Sequence, residues 1–486
     1  MTSARGALHV TNLEKNDPYI YQNGFGNSFA SEAIPGVLPK GQNNPLKVKY
    51  SLYCEQLSGT AFVAPRRQNQ RTWVYRIRPA VAHQGFTKLK QNPDLESNFS
   101  TLNPKVHVSP TQLAWTPFKM PPDDVSVDFV DGIKTCAGSG EPSHKEGIAV
   151  HVYMCNASMT RRAFCNNDGH MLIVPELGRL DVRTELGSLM VHNGEICVIP
   201  RGIRFRIALP DGKARGYIQE VFGAAYDLPE RGPLGRSGLA LERDFEYPVA
   251  AFELDQEGWR IAYKILGELH ECTQEHSPFD VVAWHGDYAP YKYNLERFVN
   301  VGSISVDHID PSIFCVLTVP SAVPGTPLAD FLIFSPRWDV ANNTYRPPYF
   351  HRNVASELMG LIRGNYGGRS DEFKPGGMSY ECGFVPHGVA YEEWKAATET
   401  ELAPQWISEG TIAFMFESSR PFTITDFAFN RSGVKHEHDP KMWNPLKATF
   451  IERLDEVNAD LQKLGLPPIE RAGADAGMKG IKINGH

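Results

Sequence analysis

A mainly β fold follows from three features of the sequence. Turn-forming residues are abundant, with 42 Gly and 36 Pro in 486 residues. Few stretches show the apolar spacing of an amphipathic helix. Residues 147–222 read as a run of short apolar segments punctuated by Gly, Asn and Pro. Strands repeated at such short spacing predict a double-sheet jelly roll.

Taken in order, residues 1–50 read as loop that wraps a surface, with Gly24-Phe25-Gly26-Asn27 and Gly41-Gln42-Asn43-Asn44-Pro45 as its turns. Ala61-Phe62-Val63 and Thr72 to Ile77 read as strands. Residues 85–145 are rich in Pro and Asn and read as a long excursion with little regular structure. The jelly-roll run then includes Ile148–Met154, Gly169–Val174, Leu180–Thr184, Ser188–Val191, Glu195–Gly202 and Arg204–Ile207. Residues 223–250 form a Gly/Pro-rich link, and the mixed spacing of Trp259, Ile261, Ala262, Ile265 and Leu266 suggests a helix within 257–276.

A boundary near residue 295 separates two lobes, 1–295 and 296–450, followed by a C-terminal helix and flexible tail over 451–486. The second lobe opens with Ser303–His308 and Phe314–Val319 as strands and closes with Thr411–Glu417. The helix of the last segment spans Ile451–Leu464.

The formal charge is −7, without a long Lys/Arg run, which argues against a nucleic-acid partner. The eight cysteines form no C-x-x-C pair, and most read as small buried apolar residues. The first twenty residues lack an apolar signal core, and no apolar stretch is long enough to span a membrane. The expectation is a reduced, soluble protein of the cytoplasm, with no membrane partner.

The chemistry concentrates between Arg346 and His387. His351, Glu357 and His387 supply two imidazoles and one carboxylate within 36 residues (387 − 351). These are the ligand types of the 2-His-1-carboxylate triad, which holds non-haem Fe(II) and leaves one face of the metal open. Six residues of strand would separate His351 from Glu357 by roughly 20 Å, and six of helix would turn the second side chain to another face. They share a metal only if the backbone bends between them, at Arg352-Asn353-Val354-Ala355-Ser356. A rival pattern, His436-Glu437-His438, lies in a charged stretch and reads as a solvated surface turn.

A set of ordered motifs, GFGN, GQNNP, EICVI-RG-RF, WHG-Y-PYKYNL, DH-DPSIF, RPPY-HRN, SE-MGLIRG and PHG, resembles the homogentisate 1,2-dioxygenase family from Gly24 to about Leu446. That resemblance implies two β-rich lobes related to the cupin jelly roll, with the iron site in the C-terminal lobe. It implies an extradiol-type ring-cleaving dioxygenase using Fe(2+) and O2 on a small aromatic diol, and a homo-oligomer, trimer or hexamer. The family's ligands fall on His351, Glu357 and His387. Its acid–base histidine falls on His308 in VDHIDPSIF, which otherwise reads as a structural histidine held by Asp307 or Asp310. Its pocket tyrosine falls on Tyr366, which otherwise is plain wall. His285, in WHGDY, has no role assigned.

The chain departs from the pattern near the pocket. The family usually carries Ser-Leu-His six residues before the last iron histidine. Ser379-Tyr380-Glu381 stands there instead, which makes Glu381 a substrate-facing candidate. The segment Pro386-His387-Gly388-Val389-Ala390 lacks the family's aspartate, and Asn365 precedes Tyr366 where a histidine is usual. A carboxylate within about 4 Å of homogentisate's own would repel it by roughly 4 kcal/mol at an effective dielectric near 20. Homogentisate and a neutral substituted hydroquinone such as methoxyhydroquinone therefore both stand as substrates. A non-enzymatic bicupin and a cupin isomerase are the rival classes. The first often loses its metal ligands, and the second consumes no O2.

Overall fold

In the computed structural model the residues described are 16–302, 305–366, 373–437 and 439–470. Their architecture is mainly β, with strands grouped in five sheets. Two large sheets build the N-terminal lobe. One runs through Glu195–Ile199, His170–Leu177, Ala214–Val221, Glu146–Cys155 and Ile133–Glu141. The other runs through Leu180–Thr184, Arg204–Ala208, Arg162–Asn166, Trp259–Ile265 and Glu268–Gln274. Leu172, Ile173 and Ile218 of the first sheet and Val182, Phe164 and Phe205 of the second enter one buried apolar core. This sandwich is the jelly roll that the short, turn-punctuated strands imply.

The segment 257–276 is a hairpin and not a helix. Leu266 and Gly267 take φ values of +49° and +80°, as a tight two-residue turn between antiparallel strands requires. Trp259, Ile261 and Tyr263 alternate along the first strand and fill one satellite core with Phe279 and Cys272. A period of two therefore governs the segment.

Residues 85–145 also hold more regular structure than expected. Ile133–Glu141 is a nine-residue strand paired with Glu146–Cys155. Leu113–Trp115 crosses to the C-terminal lobe, where it lies between Met378–Glu381 and Lys435–Glu437. Trp115 is wholly buried and its indole N–H donates to the Ala428 carbonyl at 2.8 Å. In return, Thr423–Thr425 pairs with Ile133–Glu141 of the N-terminal lobe. The two lobes thus exchange strands.

The C-terminal lobe is built on one seven-stranded sheet. Its order is Cys315–Pro320, Pro327–Phe334, Ile412–Ser418, Ser356–Arg363, Met378–Glu381, Leu113–Trp115, Lys435–Glu437. One face carries Leu358, Tyr380, Phe414 and Phe416 into the shared core, and the Phe414 ring meets Tyr217 of the N-terminal lobe at 4.9 Å. The opposite face carries Glu357 and, two residues on, Met359, which packs with Phe373 and Tyr366.

Lys435–Glu437 is an edge strand, so His436 belongs to the sheet and not to a solvated turn. His438 lies outside the described residues. Residues 305–308 form no strand, and Asp307 adopts φ +81° there. Ser303 and Ile304 lie outside the described residues. The C-terminal helix is split into Thr449–Glu452 and Leu454–Lys463, and the tail from residue 471 lies outside the description. All eight cysteines are free thiols. Among the described residues no helix is long and apolar enough to cross a membrane.

Candidate metal centre

His351 and His387 face each other as an isolated antiparallel bridge. The backbone N–H of each donates to the carbonyl of the other at 3.1 Å. This pairing brings the two imidazole rings to 4.2 Å between centroids. Glu357 enters from the second position of the strand Ser356–Arg363, after the chain turns through residues 352–355. One ligand atom from each of the three residues lies within 4.8 Å of the others. Among the described residues this is the only such group of three.

Both rings are held in one orientation. His351 Nδ1 lies 2.7 Å from the Tyr349 carbonyl, and His387 Nδ1 lies 2.9 Å from the Val385 carbonyl. A carbonyl only accepts, so each Nδ1 carries the proton and each Nε2 keeps its lone pair for a metal. His387 Nε2 is buried and makes no hydrogen bond, standing 3.7 Å from Glu357 Oε2. Two free imidazole lone pairs beside a carboxylate fit a divalent cation.

Asn353 was not singled out by the sequence, yet it ties this group together. Its side-chain Nδ2 donates to Glu357 Oε1 at 3.0 Å. Its carbonyl accepts from the Phe384 N–H at 2.7 Å, three residues before His387. One residue thus fixes the carboxylate and the segment that carries the second histidine. Burial pushes Glu357 upward, but His387, Asn353 and His351 together hold it below the usual carboxylate range. Burial pulls His387 down, and the Glu357 carboxylate more than reverses that.

Glu357 belongs to an acidic row across the sheet. Its register partner on one side is Glu381 and on the other Glu417, whose own partner is Asp330. Register partners in an antiparallel sheet share a face. Glu381 is therefore beside the centre and is buried, at 2% exposure, but its carboxylate is not one of the three clustered groups. Burial and the Glu357 and Asp330 carboxylates push Glu417 up to about 8.

His308 approaches through Tyr349, whose ring lies 4.6 Å from the His308 ring and 5.6 Å from the His351 ring, both edge-on. The His308 ring is bound neither by Asp307 nor by Asp310. Its Nδ1 pairs with the Ile309 carbonyl at 2.8 Å, which leaves Nε2 as an acceptor. Tyr366 packs edge-on against Phe334 at 5.9 Å, on the face that bears Glu357. His285 lies apart, in the N-terminal lobe, where its Nε2 meets the Tyr75 hydroxyl at 3.2 Å. Tyr349, Asn353 and Glu417 are the residues that sequence reasoning missed. A hint existed only for Asn353, which lies inside the required bend.

Comparison with known proteins covers almost the whole chain. Residues 20–295 match the family model for the homogentisate 1,2-dioxygenase N-terminal region, and residues 296–450 match the C-terminal one. A homogentisate 1,2-dioxygenase of Dictyostelium discoideum is 51% identical over 437 residues, 90% of this chain and 98% of that protein. One of Caenorhabditis elegans is 49% identical over 442 residues, covering 90% and 99%. The Homo sapiens protein of that name is 47% identical over 435 residues, covering 88% and 96%.

Proposed function

The chain belongs to the homogentisate 1,2-dioxygenase family, ring-cleaving oxidoreductases that incorporate O2, and on that premise we propose that it binds Fe(II) at His351, Glu357 and His387 and opens a p-hydroquinone ring. The observation that carries this reading is the convergence of two oriented imidazole lone pairs and one buried carboxylate. Bound Fe(II) supplies vacant coordination positions for the diol and for O2.

The protein's own groups supply orientation and proton transfer. His351 and His387 are presented through backbone carbonyls, so their aim does not depend on mobile side chains. His308 Nε2 takes a proton from the substrate phenol and returns it after ring opening. An imidazole suits that work because it titrates near neutral pH. Tyr366 donates a hydrogen bond to the substrate from the face of the sheet that bears Glu357. The protein acts as a homo-oligomer, trimer or hexamer, in the cytoplasm.

Oxygen uptake by protein loaded with Fe(II), with homogentisate or methoxyhydroquinone present, tests the reading. One O2 consumed per ring opened is the expected result. Turnover that is independent of added Fe(II), or isomerised product without O2 uptake, overturns it.

A second reading concerns the ring substituent and rests on the position of Glu381, buried and in register with Glu357. An acidic wall there favours a neutral substituent over the carboxylate of homogentisate. Steady-state rates on the two hydroquinones decide. A preference for methoxyhydroquinone that shrinks in Glu381→Gln supports it, and a clear wild-type preference for homogentisate removes it.

A further inference from the structure

We propose that the N-terminal lobe carries a second ligand site, a cavity that holds the carboxylate of a small, largely apolar organic acid. The cavity has a volume of about 430 Å³ and lies between the sheet of Tyr53–Ser58 and Arg71–Arg76 and the sheet of Arg162–Asn166 and Arg204–Ala208. Ligand pockets for small molecules fall in the range of roughly 300–1,000 Å³. None of its walls belongs to the metal centre.

The hydrogen-bonding inventory of the wall defines the ligand. Both carboxylates that line it are spent. Glu55 accepts from Arg76 Nη1 at 3.1 Å and from the Ala80 N–H at 2.7 Å. Glu185 accepts from Arg76 Nη1 at 3.0 Å and from the Arg204 N–H at 3.0 Å. Arg76 in turn is saturated by these, by Asp280 and by the Pro278 carbonyl.

Donors are left over. Arg204, 6% exposed, uses Nε on the Tyr263 hydroxyl and Nη2 on the Ala80 carbonyl, while its buried Nη1 has no partner. The half-buried guanidinium of Arg201 also lines the cavity, beside the Tyr288 hydroxyl, and a single hydroxyl leaves most of its five N–H donors for a ligand. A buried donor without a partner is a cost that the fold carries unless a ligand or water meets it.

The remaining wall fixes the rest of the chemistry. Leu57, Val74 and Leu186 offer an apolar floor. The Cys165 thiol is pushed far up by burial and stays neutral, with its hydrogen on Asn167 Oδ1 at 3.2 Å. Arg76, Arg201 and Arg204 are matched in number by Glu55, Glu185 and Asp280. Recognition therefore rests on spare donors and not on a strong net field. A planar carboxylate with an apolar body uses both, since it accepts from two guanidiniums and needs no acceptor in return.

Phenylacetate and its neutral analogue phenylacetamide are suitable probes, because neither has a phenol that would seek the metal. Titration calorimetry on the metal-loaded full chain should show saturable binding of phenylacetate. Its dissociation constant should lie below roughly 10 mM, the weak limit for about ten heavy atoms. Phenylacetamide should bind at least about tenfold more weakly, and Arg201→Gln should weaken phenylacetate by a similar factor. Arg204→Met should abolish binding. If that buried variant does not fold, the half-buried Arg201 position decides alone. His351→Ala should leave binding unchanged. Absence of saturable binding, equal binding of the amide, indifference to Arg201→Gln, or loss in His351→Ala each overturns the site.

Discussion

Each lobe buries a glutamate against imidazole, and the two do it in opposite ways. In the N-terminal lobe Glu220 is enclosed by partners. Lys264 Nζ lies 2.8 and 3.0 Å from its two oxygens, His151 Nε2 3.0 Å and Asn166 Nδ2 2.7 Å. Lys264 also reaches Asp168 at 2.9 Å, and His151 Nδ1 is met by Thr135 Oγ1 at 2.9 Å. In the C-terminal lobe Glu357 faces two imidazole nitrogens, no lysine, and further carboxylates along its row. One cluster is closed and staples two sheets together. The other sets two imidazoles beside a carboxylate, a group whose donor types suit a cation. The difference teaches that a buried carboxylate reads as structure when every hydrogen bond is satisfied, and as a binding site when the surrounding lone pairs converge without one.

The sharpest way to break this contrast is to remove each carboxylate. Glu357→Ala should lower turnover by roughly a thousandfold or more, since several kcal/mol of metal chemistry depend on it. Its thermal midpoint, measured metal-free, should hardly fall. Turnover that survives the change would sink the assignment. Glu220→Ala should do the reverse and cost roughly 3–5 kcal/mol of stability, because Lys264 is left buried with less compensation. Oxygen uptake per folded molecule should stay at the wild-type level, and chemical denaturation followed by assay of the native fraction checks both.

Asn353→Ala sharpens the comparison further. It removes a partner of the ligand and leaves the ligand itself, so metal affinity by chelator competition should weaken about 10–100-fold. Turnover per bound metal should change little. A metal affinity equal to wild type would show that the bend holds its shape without Asn353.

The smallest effect is in pH. Burial holds His170 of the N-terminal lobe down to about 3, against 6.5 ordinarily. Between those values the unfolded chain binds the proton and the folded one does not, so stability falls as pH drops below 6.5. Burial pushes Glu220 up, but Lys264 and His151 hold it below its ordinary range, which adds a loss of the same sign as pH falls below 4.5. In the metal-free C-terminal lobe Glu417 has the opposite sign. Its folded form keeps the proton up to about 8, so stability falls as pH rises from 4.5 toward 8. Hydrogen exchange in His170–Leu177 and in Ile412–Ser418, followed across pH, should move in opposite directions. Parallel behaviour of the two strands would remove the electrostatic contrast.

Much of this was legible in the residues and some was not. The short apolar runs of 147–222 gave the jelly roll because alternation and turn residues are local signals. The ligand types and the need for a bend between His351 and Glu357 were legible from spacing. The hairpin at 259–274 looks helical in sequence because Ala262 and Leu266 blur a period of two, and the deciding signal is the turn at Leu266-Gly267. The row Glu381–Glu357–Glu417–Asp330 was invisible, because register between strands distant in sequence leaves no mark on any one of them. Asn353 carries no signal beyond its place in the bend, since its value lies in two hydrogen bonds to residues placed by the fold.

The traffic of strands between the halves has a consequence for biosynthesis. Leu113–Trp115 leaves the ribosome 263 residues (378 − 115) before its neighbour Met378–Glu381 is made. At about 5–20 residues per second that is a wait of roughly 10–50 s with Trp115 unhoused. A nascent chain in that interval offers an unsatisfied aromatic edge to chaperones and to its own kind. Truncations in the second half should therefore damage solubility as well as chemistry.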